Sequence, residues 1–263
     1  MLRRHPLNTG FQWRVSDLPL RLLSAAQVEH YNDEGYFLFE NAFPAELMDA
    51  VAEAIAPFEE KTETFLRAQK NGRHLIARAG EITFTTFMVK HAQACRNFSL
   101  HPVFQGICHD LIGEGARLYW DQAVYKKPGS PEEFPWHQDN GYAFLEPQQY
   151  LTCWVALTDA TLENGCPWVM PRLHRTGTLE HHATKLGFEC LTPPVEGAVA
   201  VPAQKGDIVV FSSLTPHRTG PNLTGEVRKS YILQYAGDGA RVRRAADDAG
   251  VAQDDPERQY RVV

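Results

Sequence analysis

The chain has 263 residues, 43% of them hydrophobic and 22% charged, with a formal net charge of −6. That length and balance suit a soluble globular protein with a sizeable buried core. A negative chain with no basic run beyond the short cluster Arg241, Arg243 and Arg244 argues against a surface that tracks nucleic-acid phosphates.

From the N-terminus, Met1-Leu2-Arg3-Arg4-His5-Pro6 carries positive charge with no apolar run after it, so no secretory signal is expected. A first helix is expected from Ser24, because Ser24 and Gln27 have capping-box spacing, and Gly35 is placed to stop it. Tyr36 to Phe39 reads as a short strand. A second helix is expected over Pro44 to Glu60, with Leu47, Val51 and Ile55 at helical spacing. A third spans Pro102 to Ile112, closed by Gly113. From Arg117 the pattern changes to short apolar runs separated by Gly, Pro and Asn: Leu118 to Tyr125, Tyr150 to Leu157, Pro167 to Met170, Val199 to Pro202, Asp207 to Phe211 and Lys229 to Tyr235. Such runs predict a β-sandwich or barrel. The expectation is one mainly β domain over 1–263, with a mainly helical part at 1–116, a β core at 117–237 and a tail at 238–263. Ala245 to Pro256 has the acidic, weakly apolar composition of a mobile segment.

No run approaches the roughly 18 apolar residues of a membrane helix. The five cysteines, Cys95, Cys108, Cys153, Cys166 and Cys190, are scattered and form no CxxC pair. They predict free thiols in a reducing compartment, not a disulfide frame or zinc knuckle. A cytoplasmic protein is expected, with no membrane or nucleic-acid partner.

The chemistry centres on Trp136-His137-Gln138-Asp139. In extended chain, residues i and i+2 face the same way, so His137 and Asp139 can meet one ion. His217, in Thr215-Pro216-His217-Arg218-Thr219, is the best third ligand. Two histidines and a carboxylate form the facial triad of non-haem Fe(II) oxygenases, which leaves positions open for a chelating co-substrate and O2. An HxD tripeptide alone is a weak signal in a chain with 11 histidines. His30, His74, His91, His101 and His109 read as surface or helix residues, and the adjacent His181 and His182 would point to opposite strand faces. Arg228 strengthens the pattern. It lies eleven residues beyond His217, and its planar fork suits a distal carboxylate, to which the Thr219 hydroxyl can add a hydrogen bond.

The sequence resembles the phytanoyl-CoA dioxygenase family of Fe(II)/2-oxoglutarate-dependent oxygenases. The resemblance rests on Lys127-Pro128-Gly129, Trp136 to Asn140, Trp154-Val155-Ala156-Leu157, Leu162 to Cys166, Gly206-Asp207 and His217 through Arg228, and covers roughly residues 20 to 237. It implies a double-stranded β-helix (a jelly-roll, cupin-like core) flanked by helices, with Fe(II) held by His137, Asp139 and His217. It also implies 2-oxoglutarate held through its 5-carboxylate by Arg228 and Thr219, and O2 as the oxidant. Trp154 matches a tryptophan that lines the co-substrate pocket, although a core role is equally open. Gln122 and Lys90 fall near positions that contact the co-substrate. Lys126 and Lys127 read as turn residues leading into Pro128-Gly129. The expected activity is hydroxylation of an unactivated C–H bond in a small molecule, with release of succinate and CO2.

Two departures matter. The family's usual Pro-Gly-Ser-His is here Pro171-Arg172-Leu173-His174, which puts that loop's shape in doubt. Asp139 is retained, whereas related halogenases replace this carboxylate to admit chloride, so hydroxylation or another oxidation is expected over chlorination. Glu163-Asn164-Gly165 reads as a structural turn. Tyr142 to Phe144 and Phe84 to Phe87 either wall the substrate pocket or belong to the core. Two competing readings stand: a metal-binding β-barrel that binds small molecules without turnover, and a cupin-type metalloenzyme without 2-oxoglutarate. Arg228 and Thr219 speak against the second.

Overall fold

The computed structural model describes residues 2–263. In chain order the helical first part contains α1 (Ala25–Glu34), β1 (Tyr36–Phe39), α2 (Ala45–Arg67), β2 (Arg73–His74), β3 (Ala77–Arg78), β4 (Ile82–Thr86), α3 (Met88–His91), α4 (Gln93–Ser99) and α5 (Pro102–Leu111). Then follow β5 (Ala116–Lys126), β6 (Phe134–His137), β7 (Leu145–Glu146), β8 (Leu151–Ala156), β9 (Pro167–Val169), β10 (His182–Thr184) and β11 (Gly187–Glu189). The chain closes with β12 (Val199–Ala200), β13 (Ile208–Ser212), β14 (His217–Thr219), β15 (Arg228–Gly237), β16 (Arg241–Val242) and β17 (Val251–Ala252).

The first helix begins as its sequence dictates. The Ser24 side chain accepts from the Gln27 amide, and the Gln27 side chain accepts from the Ser24 amide, satisfying two donors that a helix start leaves free. Gly35 ends it in the left-handed region at φ 88°. A β-carbon there would also sit 2.5 Å from the His174 ring, so glycine is required on both counts.

Two antiparallel sheets make the core. The larger has the order β1-β13-β8-β15-β5-β4-β3-β2, and the smaller β12-β9-β14-β6. One face of the larger sheet carries Cys153, Val155, Tyr231, Leu233 and Tyr235, packed with Met48, Val51, Ile55, Phe98, Phe104 and Ile107 from the helices. The other face carries Trp154, Ala156, Val209 and Phe211, which close on Val169 of the smaller sheet. Every residue of β8 and of β13 is buried, as expected of strands covered on both faces, and this is why their sequences read as continuous apolar runs. The architecture is the expected mainly β jelly roll with flanking helices.

Three expectations need correcting. The helix expected to stop at Glu60 runs on to Arg67 through Pro57. The helix lies against β4, where the Thr83 hydroxyl donates to Glu59 and, within the added turns, the Thr85 hydroxyl donates to that of Thr62. Second, the larger sheet is not confined to 117–237: β1 and β4 flank it from the helical part. Third, the C-terminal segment is tied down. Val251 and Val242 pair, the Val262 amide donates to the Ala116 carbonyl, and the Leu118 amide donates to that of Tyr260. Its few apolar side chains understate this anchoring, which combines backbone pairing with side-chain contacts such as Arg96 to the Glu257 carbonyl and Ser99 to Tyr260. No helix among the described residues is long and apolar enough to cross a membrane.

Candidate metal centre

β6 and β14 are neighbours in the smaller sheet, and their register places His137 directly opposite His217, with ring centroids 4.1 Å apart. β6 ends at His137, Gln138 stays extended (φ −106°, ψ 142°), and Asp139 opens a short 3-10 turn. One extended residue is enough to bring Asp139 back to the face of His137. Asp139 Oδ1 lies 3.9 Å from His137 Nε2 and 3.7 Å from His217 Nε2. One donor atom from each of the three residues fits within 4.8 Å of the others.

The ring orientations follow from the second nitrogens. His137 Nδ1 is 2.8 Å from the Pro135 carbonyl and His217 Nδ1 is 3.0 Å from that of Thr215. A carbonyl can only accept, so each Nδ1 carries the proton and each Nε2 presents a lone pair. Burial holds both rings neutral, pushing His137 down to about 3, aided by neighbouring His217, and His217 to about 4. Burial moves the Asp139 carboxyl the other way, upward, against the opposing influence of His137 and a Thr152 hydrogen bond. The Thr152 hydroxyl donates to Asp139 Oδ2 and in turn accepts from the Gln234 amide at 3.4 Å. Two neutral imidazoles and one carboxylate are the donor set of a 2-His-1-carboxylate iron site, and an ion's charge would favour the ionised acid.

Arg228 begins β15 and is 1% exposed. Its Nη1 donates to the Ser230 hydroxyl at 2.8 Å, and the guanidinium lies 5.3 Å from the Trp154 ring centroid. Its Nε and Nη2 are buried with no hydrogen-bond partner among the described residues. Burial pushes it down to about 10, still a cation at neutral pH. A buried guanidinium with two free donors is rare in a finished core and fits a carboxylate that accepts from both.

Of the remaining sequence candidates, Trp154 and Gln122 flank Ile232 in register. Cross-strand partners share a face, and Trp154 is both core residue and neighbour of Arg228. Thr219 lies two residues beyond His217 on β14, and its hydroxyl is 3.4 Å from Lys126 Nζ. Lys90 is placed elsewhere: its ammonium is 2.6 Å from Glu257 of the C-terminal segment. Lys126 corrects the reading as a turn residue. It is the last residue of β5, is 2% exposed, and stands opposite Arg228 in register. The alternation Gln122, Val124, Lys126 carried that signal one residue past the expected strand end. Lys127, by contrast, points away to pair with Glu59. Thr152, Ser230 and Gln234 carry no signal in the sequence, because hydroxyl and amide residues on strands have no distinguishing pattern.

Around the triad, His137 meets the rings of Phe134 at 5.0 Å and Tyr142 at 5.3 Å. Tyr142 meets Phe188, and Phe84 meets Phe134. Tyr142 therefore stands beside the site, whereas Phe144 is a core residue stacked on His5. The departing loop at Pro171 to His174 forms a 3-10 turn starting from Arg172 in a left-handed conformation, and Arg172 holds Glu34 across to α1. An open cavity of about 450 Å³ lies beside the site, lined by Phe134, Pro135, Trp136, Pro193 and Arg218 among others, though by none of the triad itself.

A jelly roll with this triad and a buried, unpaired guanidinium defines the class of non-haem iron oxygenases that use 2-oxoglutarate. Within it, the family described as phytanoyl-CoA dioxygenase matches residues 31–230, and the chain belongs to that family. A methylphosphonate hydroxylase of Gimesia maris is 38% identical over 129 residues, which span 48% of this chain and 47% of the relative. The chain thus matches about half the length of that protein. Phytanoyl-CoA dioxygenase domain-containing protein 1 of Danio rerio is 25% identical over 260 residues, covering 81% of this chain and 89% of the relative. Among solved structures, the non-haem α-ketoglutarate-dependent carbocyclase SnoK from nogalamycin biosynthesis superposes with a TM-score of 0.69 at 24% identity, covering 87% of this chain and 89% of that one. EvdO2 from Micromonospora carbonacea var. aurantiaca, solved with 2-oxoglutarate, gives 0.64 at 24% identity, covering 87% and 96%. At these identities the superpositions speak for the fold.

Proposed function

We propose that this chain is an Fe(II)- and 2-oxoglutarate-dependent dioxygenase that hydroxylates an unactivated C–H bond of a small organic molecule, with succinate and CO2 as co-products. His137, Asp139 and His217 would hold the iron, and Arg228 with Thr219 the 5-carboxylate of 2-oxoglutarate. The observation that carries the reading is Arg228: two guanidinium donors lie unpartnered in the interior of the same β-barrel that converges two imidazoles and a carboxylate.

Bound iron, with 2-oxoglutarate and O2, would supply the oxidising power; the chain supplies position and dryness. The Pro135 and Thr215 carbonyls fix the two rings, and Thr152 fixes one oxygen of Asp139 so that the other is left for the metal. Phe134 and Tyr142 pack edge-on against His137 and wall one side of it. The test is anaerobic loading with Fe(II) and 2-oxoglutarate, then admission of O2 with a substrate screen read by succinate. The name of the Gimesia relative makes methylphosphonate one of the first compounds to try. A loaded protein that binds substrates but never forms succinate above its uncoupled background would favour the non-catalytic barrel.

A further inference from the structure

We propose that Lys126 is a positioning residue for the co-substrate: its ammonium sets the Thr219 hydroxyl as a donor and adds a second positive charge to the pocket of Arg228. This rests on the reading of Arg228 and Thr219 as the seat of the distal carboxylate.

Lysine is rarely buried unless an anion pairs with it, and Lys126 is 2% exposed. Its Nζ donates to the Gly220 carbonyl, to the Thr219 hydroxyl and to the Glu132 carbonyl, the last two at 3.4 Å. All three acceptors are uncharged. The carboxylates nearby are already engaged: Glu132 with Arg78 and Glu133 with Arg218. On the next strand, directly opposite in register, stands Arg228, whose partners among the described residues, Ser230 and Trp154, include no carboxylate either. Two like charges facing each other in a dry interior repel, and a carboxylate between them would relieve both. The contact with Thr219 adds direction. A hydroxyl has one hydrogen; when its oxygen accepts from an ammonium, that hydrogen is free to donate, and an incoming carboxylate is the partner it fits.

The charges facing Lys126 are Arg228 from β15, Glu133 before β6, Arg78 from β3 and Arg218 from β14. Burial, and after it Arg228, push its ammonium down to about 7. A bound carboxylate favours the charged form, so 2-oxoglutarate affinity should weaken as pH rises above 7.

The experiment titrates 2-oxoglutarate into the anaerobic Fe(II)-loaded full chain and follows the metal-to-ligand charge-transfer absorbance, for wild type, Lys126→Met and Lys126→Gln. Both variants should lose at least about tenfold in affinity, as for a lost charge-assisted bond, and the pH dependence above 7 should flatten. Pyruvate, which lacks the distal carboxylate, should bind all three proteins alike. Thr219→Val should weaken wild type but add little to Lys126→Met. Thermal unfolding of the metal-free proteins should show no loss of stability in Lys126→Met, because a buried charge has been removed. Unchanged 2-oxoglutarate affinity with an unchanged pH profile in either folded variant overturns the proposal, and so does an equal loss for pyruvate. Failure of the wild type itself to develop the absorbance with 2-oxoglutarate would instead overturn the proposed function, and Lys126 with it.

Discussion

Arg228 brings a charge and two unpartnered donor nitrogens into a place that water does not reach. Lysine keeps the charge but loses the fork, so Arg228→Lys is not conservative here. Losing a charge-assisted bond costs about 1.5–3 kcal/mol, or roughly 10- to 150-fold in affinity for 2-oxoglutarate. Arg228→Ala should lose more, while Fe(II) binding without co-substrate changes little. Equal charge-transfer titrations for wild type and Arg228→Ala would sink the clamp. The triad makes a separate demand. Removing either His137 or His217 leaves two protein ligands for a labile divalent ion, so each alanine variant should lose specific Fe(II) binding and turnover. Equilibrium dialysis that recovers wild-type iron affinity in either variant would refute the ligand set.

At the scale of elements, stability tests which local signals are real. Ser24→Ala removes one half of a capping box whose two bonds are both made, and should cost about 0.5–2 kcal/mol in urea unfolding; no loss would mean that tertiary contacts alone hold α1. Gly165 is more severe. It sits at φ 92°, and a β-carbon there would lie 2.5 Å from the Gly220 carbonyl, which accepts from Lys126. Gly165→Ala should destabilise by about 2–5 kcal/mol, combining left-handed strain with overpacking, and should weaken 2-oxoglutarate binding; a neutral variant would show that the 165 turn and β14 do not approach closely. Elements with such signals were legible in the sequence: α1 from its cap and stop, α5 from Pro102 and Gly113, β8 and β13 from apolar runs. His137 and Asp139 were legible because HxD spacing encodes one face of an extended chain, and His217 because it follows the apolar run ending at Phe211. β4, α3 and α4 were not: Ile82-Thr83-Phe84-Thr85 alternates, but Thr83 and Thr85 are buried while Phe84 is only partly so, and α3 and α4 have no side-chain caps and are organised by packing on α2 and β5. Lys126 and Thr152 escaped for a related reason: only the register says what stands opposite them.

For the whole molecule, the dependence of stability on pH follows from how many histidines the fold keeps dry. Burial is the leading cause that pushes four of them far down, His137 to about 3 and His174, His181 and His217 to about 4. In the unfolded chain each returns to about 6.5. A depressed imidazole stays neutral when folded while its unfolded counterpart takes a proton, so its stability is present above pH 6.5 and is lost as pH falls toward 4. Two buried carboxyls act oppositely: burial raises Asp121 to about 6 and also raises Asp139, so the folded state takes up those protons first. Four imidazoles outnumber two carboxyls. The unfolded state therefore binds the greater number of protons near pH 5, by on the order of one or two, which corresponds to about 1–3 kcal/mol lost per pH unit. Urea unfolding of the metal-free chain between pH 7 and 4.5 should show midpoints that fall steadily with acid. A flat or rising midpoint over that range would mean that these rings are solvated, and the dry metal centre argued from their burial would fail with it.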